Sequence, residues 1–327
     1  MNNSLYPLKF HPIYLEKIWG NGARLNKVLG KCSKPNCGES WEISTTVGYI
    51  SEVSNGFLSG NNLSELIEVY MGDLVGDRIF EKYGLQFPLL FKYIDTAADL
   101  SVQVHPGDDT AIGRHNSLGK TEMWYVIDAD KGGMINLGFN RDVTKDQFLS
   151  FLEEGKLTEL LYYDEVSSGD ALFVSPGRVH AIGKGVLVAE IQQASDLTYR
   201  IYDYNRKDAN GNLRELHLDY ALDVIDFSCI DRFKIDYEAL HNKPTEILRC
   251  DYFKVNVLVF SKTVERDYSR TDSFVVYMNI KGSFVIEYDD GSVEVNLGET
   301  VLVPASLEYV RLRPLSGEVK LLETSIP

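Results

Sequence analysis

Positive charge is scarce in this sequence. The 33 Lys and Arg residues are outnumbered by 48 Asp and Glu, leaving a formal net charge of −15. A field of that sign repels polyanions over long range, which argues against nucleic acid or an anionic membrane as a partner. A small anion is not excluded, because a few Lys or Arg side chains can reverse the potential inside one pocket. Long apolar runs are missing as well. No stretch approaches the ~20 residues of a membrane span, and the opening MNNSLYPLKF lacks an apolar core of signal-peptide length. The expected location is therefore cytoplasmic. Cysteine is sparse, at Cys32, Cys37, Cys229 and Cys250. Cys32 and Cys37 are close but have no second pair to complete a zinc knuckle, and all four read as free thiols of a reducing compartment.

Nucleotide signatures are also wanting. GNGARL near the start has two glycines and no third, so it is no dinucleotide fingerprint. Gly119-Lys120-Thr121 resembles the tail of a phosphate-binding loop, but position 114 is Arg where glycine is required. Regular alternation of strand and helix is absent, which sets aside a doubly wound parallel sheet.

What is present reads as short strands. Phe87 to Asp95, Leu100 to His105, Glu122 to Asp128, Ala171 to Ser175 and Val186 to Gln193 are β-branched or aromatic runs bounded by Gly, Pro, Asp or Asn. Helices are few: Ser64 is placed to cap ELIEVYM, and Thr144 with Gln147 forms a capping-box pattern before FLSFLEEG. Residues 205–242 are polar and read as a connector. From Lys243 a second strand-rich block begins. The chain is thus expected to be mainly β, with a domain at 1–240 and a smaller one at 241–327. The blocks echo one another in GDALFVSPGRVH (Gly169 to His180) and GETVLVPASLEY (Gly298 to Tyr309). Four residues past the proline stands His180 in one copy and Glu308 in the other, which suggests a duplication whose second copy has no metal-binding histidine.

One constellation carries chemistry. Gln103 and His105 are two apart and share a strand face, while Val102 and Val104 take the other. Glu122 opens the next strand and His180 follows Pro176. If the four converge, two imidazoles, a carboxylate and an amide oxygen make a site for a borderline divalent ion, with zinc the leading choice. Taken singly each residue is ordinary: a lone strand histidine is more often a surface or core residue, and a lone glutamate is usually solvated. His11, His115, His217 and His241 have no such context. Trp19, Trp41 and Trp124 read as core or pocket wall.

The surrounding words are more specific. GESWEIS (Gly38 to Ser44), FPLLFKYIDTAADLSVQVHPGDD (Phe87 to Asp109), GKTEMWYVID (Gly119 to Asp128) and SPGRVHAIGKGVLVAEIQQASDLTYRIYDYNR (Ser175 to Arg206) resemble type I mannose-6-phosphate isomerase, in its short bacterial form. The likeness is strong over the first two-thirds of the chain and loose over the rest. It implies two cupin jelly-roll barrels with a few short helices, the second barrel metal-free. It implies one zinc ion on Gln103, His105, Glu122 and His180, with Arg200 as the active-site arginine and Lys120 and Asp196 lining the pocket. It also implies a small sugar phosphate as substrate; the chain is expected to be a monomer or weak homo-oligomer.

Moving a proton between C2 and C1 of a sugar phosphate needs a base, positive charge near the enediolate, and a phosphate grip away from the reacting carbons. Arg200 and Lys120 suit the last two tasks, Arg better for bidentate phosphate. The base is left open among Asp196, a neutral Lys120 and a hydroxide at the metal. Two other readings compete: a different metal-dependent cupin enzyme acting on a sugar, and a non-enzymatic sugar-sensing cupin. Gln103, where cupins more usually place a histidine, together with the Lys120 and Arg200 pair, favours the isomerase.

Overall fold

The computed structural model describes residues 4–207, 210–229, 233–315 and 317–327. The chain is mainly β, with a few short helices. In the first block, a six-stranded antiparallel sheet runs in the order Ala171–Val174, Glu122–Ala129, Val186–Gln193, Leu89–Asp95, Cys37–Ile43, Ile13–Glu16. Facing it is a five-stranded sheet: Leu161–Glu165, Met134–Phe139, His180–Ile182, Val102–Val104, Tyr199–Tyr202. In the second block, a six-stranded sheet runs Leu8–Lys9, Thr300–Val303, Val275–Lys281, Val319–Ser325, Lys254–Phe260, Lys243–Arg249. Its companion has four strands: Val264–Asp267, Tyr309–Pro314, Phe284–Tyr288, Gly291–Val295.

The strand order repeats. If eight strands are counted in chain order from Leu89–Asp95, and eight from Lys254–Phe260, both blocks place strands 6-3-8-1 in one sheet and 5-4-7-2 in the other. The echo between Gly169 to His180 and Gly298 to Tyr309 falls on matching places: each segment contains the sixth strand and ends at the first residue of the seventh. That first residue is His180 in one copy and Tyr309 in the other. Glu308, set against His180 in the sequence comparison, lies one residue earlier and is exposed.

Alternation along each strand decides what each sheet face buries. On Glu122–Ala129, Trp124 and Val126 turn inward toward Leu137 and Ile182 of the facing sheet. Met123 and Tyr125 turn the other way and join Val255, Val257, Val276 and Leu322 of the second block in the largest core cluster. The two six-stranded sheets therefore pack back to back. The second block has its own inner core, built on Leu258, Tyr277, Phe284 and Leu312. The outer face of the five-stranded sheet, with Val102, Val104 and Ile201, is covered by Phe148, Leu157 and Ala221 from the helical segments. The N-terminal strand Leu8–Lys9 pairs with Thr300–Val303 and so completes a sheet of the second block.

Local signals held at most positions, with two corrections. The helix Leu63–Val75 is capped by Asn62, not Ser64: Asn62 accepts from the Glu65 amide, and Glu65 returns the bond in a capping box. Thr144 and Gln147 form the second capping box as expected. Cys32 and Cys37, expected as free thiols, are joined by a disulfide with Cα atoms 6.7 Å apart, inside the span such a bond bridges. The turn between them brings them together, since Cys32 and Asn36 both adopt positive φ and fold the chain back on itself. Cys229 and Cys250 are free.

Phe274 of the second block meets Phe87 of the first with ring centroids 4.4 Å apart, both fully buried. Phe274→Ala is expected to destabilise the protein by about 3–5 kcal/mol, read as a lowered urea midpoint; a loss under about 1 kcal/mol would mean that the blocks do not share a continuous core. Glu308→Ala, by contrast, should leave both stability and activity at the parent level, checked in the same unfolding assay and by turnover.

Candidate metal centre and its cavity

The strand Val102–Val104 buries Val102 and Val104 on the helix-covered face, which turns Gln103 and His105 toward the interior. In the ladder Gln103 stands opposite His180 on one side and Arg200 on the other. Three polar side chains thus lie in a row on one inner face. Glu122 reaches them from the opposing sheet. His105, Glu122 and His180 are all buried, and their ligand atoms lie within 4.8 Å of one another. Glu122 Oε1 is 3.4 Å from His180 Nε2, Glu122 Oε2 is 3.7 Å from His105 Nε2, and the two Nε2 atoms are 3.1 Å apart.

The hydrogen bonds around the rings show what this trio suits. His105 Nδ1 lies 2.8 Å from the Leu197 carbonyl, and His180 Nδ1 lies 2.8 Å from the Arg178 carbonyl. A carbonyl only accepts, so both Nδ1 atoms carry the proton and both Nε2 atoms present lone pairs to the same point. Glu122 Oε1 is buried there with no hydrogen-bond partner. Lone pairs converging in a dry interior are costly unless a cation takes them. Lys120 partly does so: its Nζ is 3.0 Å from His105 Nε2 and 2.5 Å from Glu122 Oε2. Burial, with the neighbouring Lys120 charge, pushes the His105 imidazole well below its ordinary range and His180 down to about 3. Burial raises Glu122 to about 7 although Lys120 opposes it. The rings are held in the neutral form that binds metal, and the donor set fits a divalent ion.

A cavity of about 120 Å³ opens beside the trio. Its cations are Lys17, Lys92, Lys120, Arg200 and Arg214, and its acids are Glu39 and Glu190. Gln103, Trp19 and Trp124 also line it. Lys92 donates to Glu190 Oε1 at 3.0 Å and to Gln192 Oε1 at 2.8 Å, and its ammonium sits 4.9 Å over the Trp41 ring. Trp124 Nε1 donates to the other Glu190 oxygen at 2.8 Å. Burial works to raise Glu190, but Lys92 and Lys120 with these hydrogen bonds outweigh it and hold the carboxyl down to about 2. Arg200 Nη1 donates to the Glu215 carbonyl at 2.8 Å, and its buried Nε has no partner. Arg214 is held by two bonds to Asp203, which also pairs with Arg206. The local potential is therefore positive in a chain whose net charge is negative.

Of the expected site residues, the structure brings together His105, Glu122, His180 and Lys120, with Gln103 and Arg200 on the same cavity wall. Asp196 is exposed and does not line the cavity. Sequence reading missed Lys92, Glu190 and Arg214. The first two had a signal: each is a charge in the middle of a strand otherwise apolar on both faces, where burial without a partner or a task is costly.

The second block resolves the same position differently. Glu190 stands opposite Trp124 and Lys92 on neighbouring strands, and in the repeat Glu323 stands opposite Tyr277 and Asn256. Glu323 accepts two bonds of 2.8 Å from Arg266, one of 2.7 Å from Tyr268 and one of 2.7 Å from Asn256. Among the described residues no second cluster of metal-ligand type occurs.

Fold and site together define a mainly β protein with a buried group of candidate metal ligands beside a cavity in which cations outnumber acids. The profile of phosphomannose isomerase type I, catalytic domain, matches residues 8–137. The chain is 43% identical over 255 residues to mannose-6-phosphate isomerase ManA of Bacillus subtilis, covering 76% of this chain and 78% of that protein. It is 34% identical to a putative mannose-6-phosphate isomerase, YvyI, of the same organism, over 92% of this chain and 94% of the other. The crystal structure of the mannose 6-phosphate isomerase from Bacillus subtilis superposes with a TM-score of 0.87 at 32% identity, covering 98% of this chain and 99% of that one. The chain belongs to the type I phosphomannose isomerase family.

The trio predicts its own test. His180→Ala should abolish stoichiometric divalent-cation binding, measured by elemental analysis after gel filtration, while the far-ultraviolet circular dichroism stays unchanged. One equivalent of metal retained by that variant would remove His180 from the ligand set.

Proposed function

We propose that the chain is a metal-dependent aldose-ketose isomerase interconverting mannose 6-phosphate and fructose 6-phosphate. The observation that supports this most is the pair of fixed imidazole lone pairs converging with an unpartnered Glu122 oxygen, beside a cavity lined by five cations and two acids. Zinc is the ion proposed, since two imidazole nitrogens and a carboxylate are ligands it favours, and Gln103 beside His180 serves as the fourth. The bound ion supplies a Lewis acid for the sugar oxygens.

The chain's own groups supply the rest. Lys120 and Lys92 are buried next to Glu190, and Lys120 Nζ, entering the step as the neutral amine, is the group proposed to take the proton from C2 and, as the ammonium so formed, return it to C1. Glu190, kept ionised, offsets the charge of Lys92 and holds its ammonium group at the cavity. Arg200 and Arg214 are less buried, and a phosphate at that end leaves C1 and C2 at the deep end. Asp196 is proposed to meet the substrate from the rim, one residue from Leu197, whose carbonyl orients His105. Holding the phosphate uses remote binding energy to align the reacting carbons, so free mannose should be a poor substrate.

We further propose that each facing pair of sheets closes as a jelly roll, giving a catalytic unit at 1–240 and a metal-free unit at 241–327, the repeated strand order being the support. A cytoplasmic monomer or weak homo-oligomer is the form proposed, since phosphorylated sugars are charged and do not cross membranes unaided.

A coupled assay of purified protein with mannose 6-phosphate should show turnover that chelation abolishes and zinc restores, with metal content measured on the same sample. Turnover untouched in metal-free protein would overturn the reading. Arg200→Ala should lower kcat/KM about 100-fold with metal content intact; an unchanged rate would remove Arg200 from the site.

A further inference from the structure

Lys120 does not hold its place through the cavity alone. The main chain at 119–121 has three anchors outside it. Gly119 N–H donates to Asp108 Oδ1 at 2.8 Å, Lys120 N–H to the Pro106 carbonyl at 3.0 Å, and Thr121 N–H to Gln193 Oε1 at 2.9 Å. Gln193 is tied back into the same knot: its Nε2 donates to Asp108 Oδ1 at 2.9 Å, and its own N–H donates to the Thr121 carbonyl at 3.0 Å. The approach is close enough that a Cβ on Gly119 would fall 2.6 Å from the Asp108 nitrogen, so only glycine fits. Asp108 follows His105 by three residues, so one carboxylate couples the segment bearing a metal ligand to the segment bearing Lys120.

The other oxygen of Asp108 faces the second block. Asp108 Oδ2 accepts the Tyr252 hydroxyl at 2.8 Å. Tyr252 lies in the turn between strands Lys243–Arg249 and Lys254–Phe260, whose closure is fixed by the Cys250 N–H on the Phe253 carbonyl at 3.0 Å. Among the described residues none beyond Arg214 lines the cavity. Tyr252 is thus a point where the second block reaches toward the catalytic lysine through a single intermediary. The Asp108 carboxyl sits below its usual range: burial alone would raise it, but the bonds from Gly119, Tyr252 and Gln193 outweigh that. An ionised acceptor makes each of these bonds stronger than a neutral one.

We infer that Tyr252 and Asp108 form a positioning latch, by which the metal-free block fixes the approach of Lys120 to the substrate. The inference rests on the reading of Lys120 as a working residue. It gives the second block a role in turnover although none of its described residues lines the cavity. Neither residue touches substrate; both act through the main chain at Gly119.

Tyr252→Phe removes one hydroxyl and keeps the ring. The expected result is a fall in kcat of about 5- to 10-fold, the scale of a small misplacement of a reacting group, with KM for mannose 6-phosphate and metal content unchanged. Asp108→Ala should fall further, Asp108→Asn should recover part of the loss, and adding Tyr252→Phe to Asp108→Ala should cost nothing more. In a Lys120→Ala background the Tyr252→Phe change should leave the residual kcat where it is. A Tyr252→Phe enzyme with parental kcat and only a lowered melting temperature would overturn the latch. Full activity in Lys120→Ala would instead overturn the role of Lys120 itself, and the two failures are read from separate variants.

Discussion

The arrangement on which the site depends is the meeting of two imidazole Nε2 atoms, 3.1 Å apart, both with their lone pairs aimed at one buried point. Neither ring can turn away, because each Nδ1–H is committed to a main-chain carbonyl. Neither ring readily takes a proton, because burial and Lys120 oppose the charge. Such an arrangement is unfavourable in isolation and becomes favourable when a cation sits between the rings. The carbonyls that commit the rings come from Arg178 and Leu197, so the loops around the two strands set the tautomer, and the tautomer sets the chemistry.

Everything else in the first block places that meeting point. Alternation along Val102–Val104 turns Gln103 and His105 inward, the ladder puts His180 and Arg200 on either side of Gln103, and the opposing sheet delivers Glu122, Trp124, Lys92 and Glu190. The back-to-back packing of the two six-stranded sheets buries the delivering sheet on both faces. A charged side chain on it has no route to bulk water except through the cavity. Lys92 and Glu190 are accordingly paired with each other and available to a ligand, and their geometry is stiff because the strands bearing them cannot move apart.

Much of this was legible in the residues. The strand runs, the i,i+2 pair at Gln103 and His105, the Thr144–Gln147 capping box and the duplicated Gly-acid-strand-Pro pattern all depend on local periodicity, which a sequence displays directly. The parts that escaped depend on exact local register and backbone conformation, or on partners far apart in the chain. Asn62 displaced Ser64 as the cap because the reciprocal bond with Glu65 requires the register two residues earlier. The Cys32–Cys37 bond depends on two left-handed residues that nothing in KCSKPNC announces. Lys92 and Glu190 stood in plain view inside apolar runs, but their partnership spans 98 residues. Asp196 was carried by family likeness, and the structure leaves it at the surface. Tyr252 lies 144 residues from the aspartate it bonds and has no motif around it.

The repeat has one more implication, in its handling of charge. At the position that Glu190 holds in the first block, where Lys92 is its partner, the second block encloses the Arg266 guanidinium against Glu323, with Tyr268 and Asn256 completing the carboxylate's bonds. That counter-charge is covalently tethered and can neither dissociate nor be exchanged for another element. The second block thus carries its counter-charge within its own chain, while the candidate ligand trio of the first block has only Lys120 beside it and leaves one Glu122 oxygen without a partner. On the proposed metal-dependent reading, depletion disarms the first block while the second keeps its tethered ion pair, so the site can be recharged when the element returns.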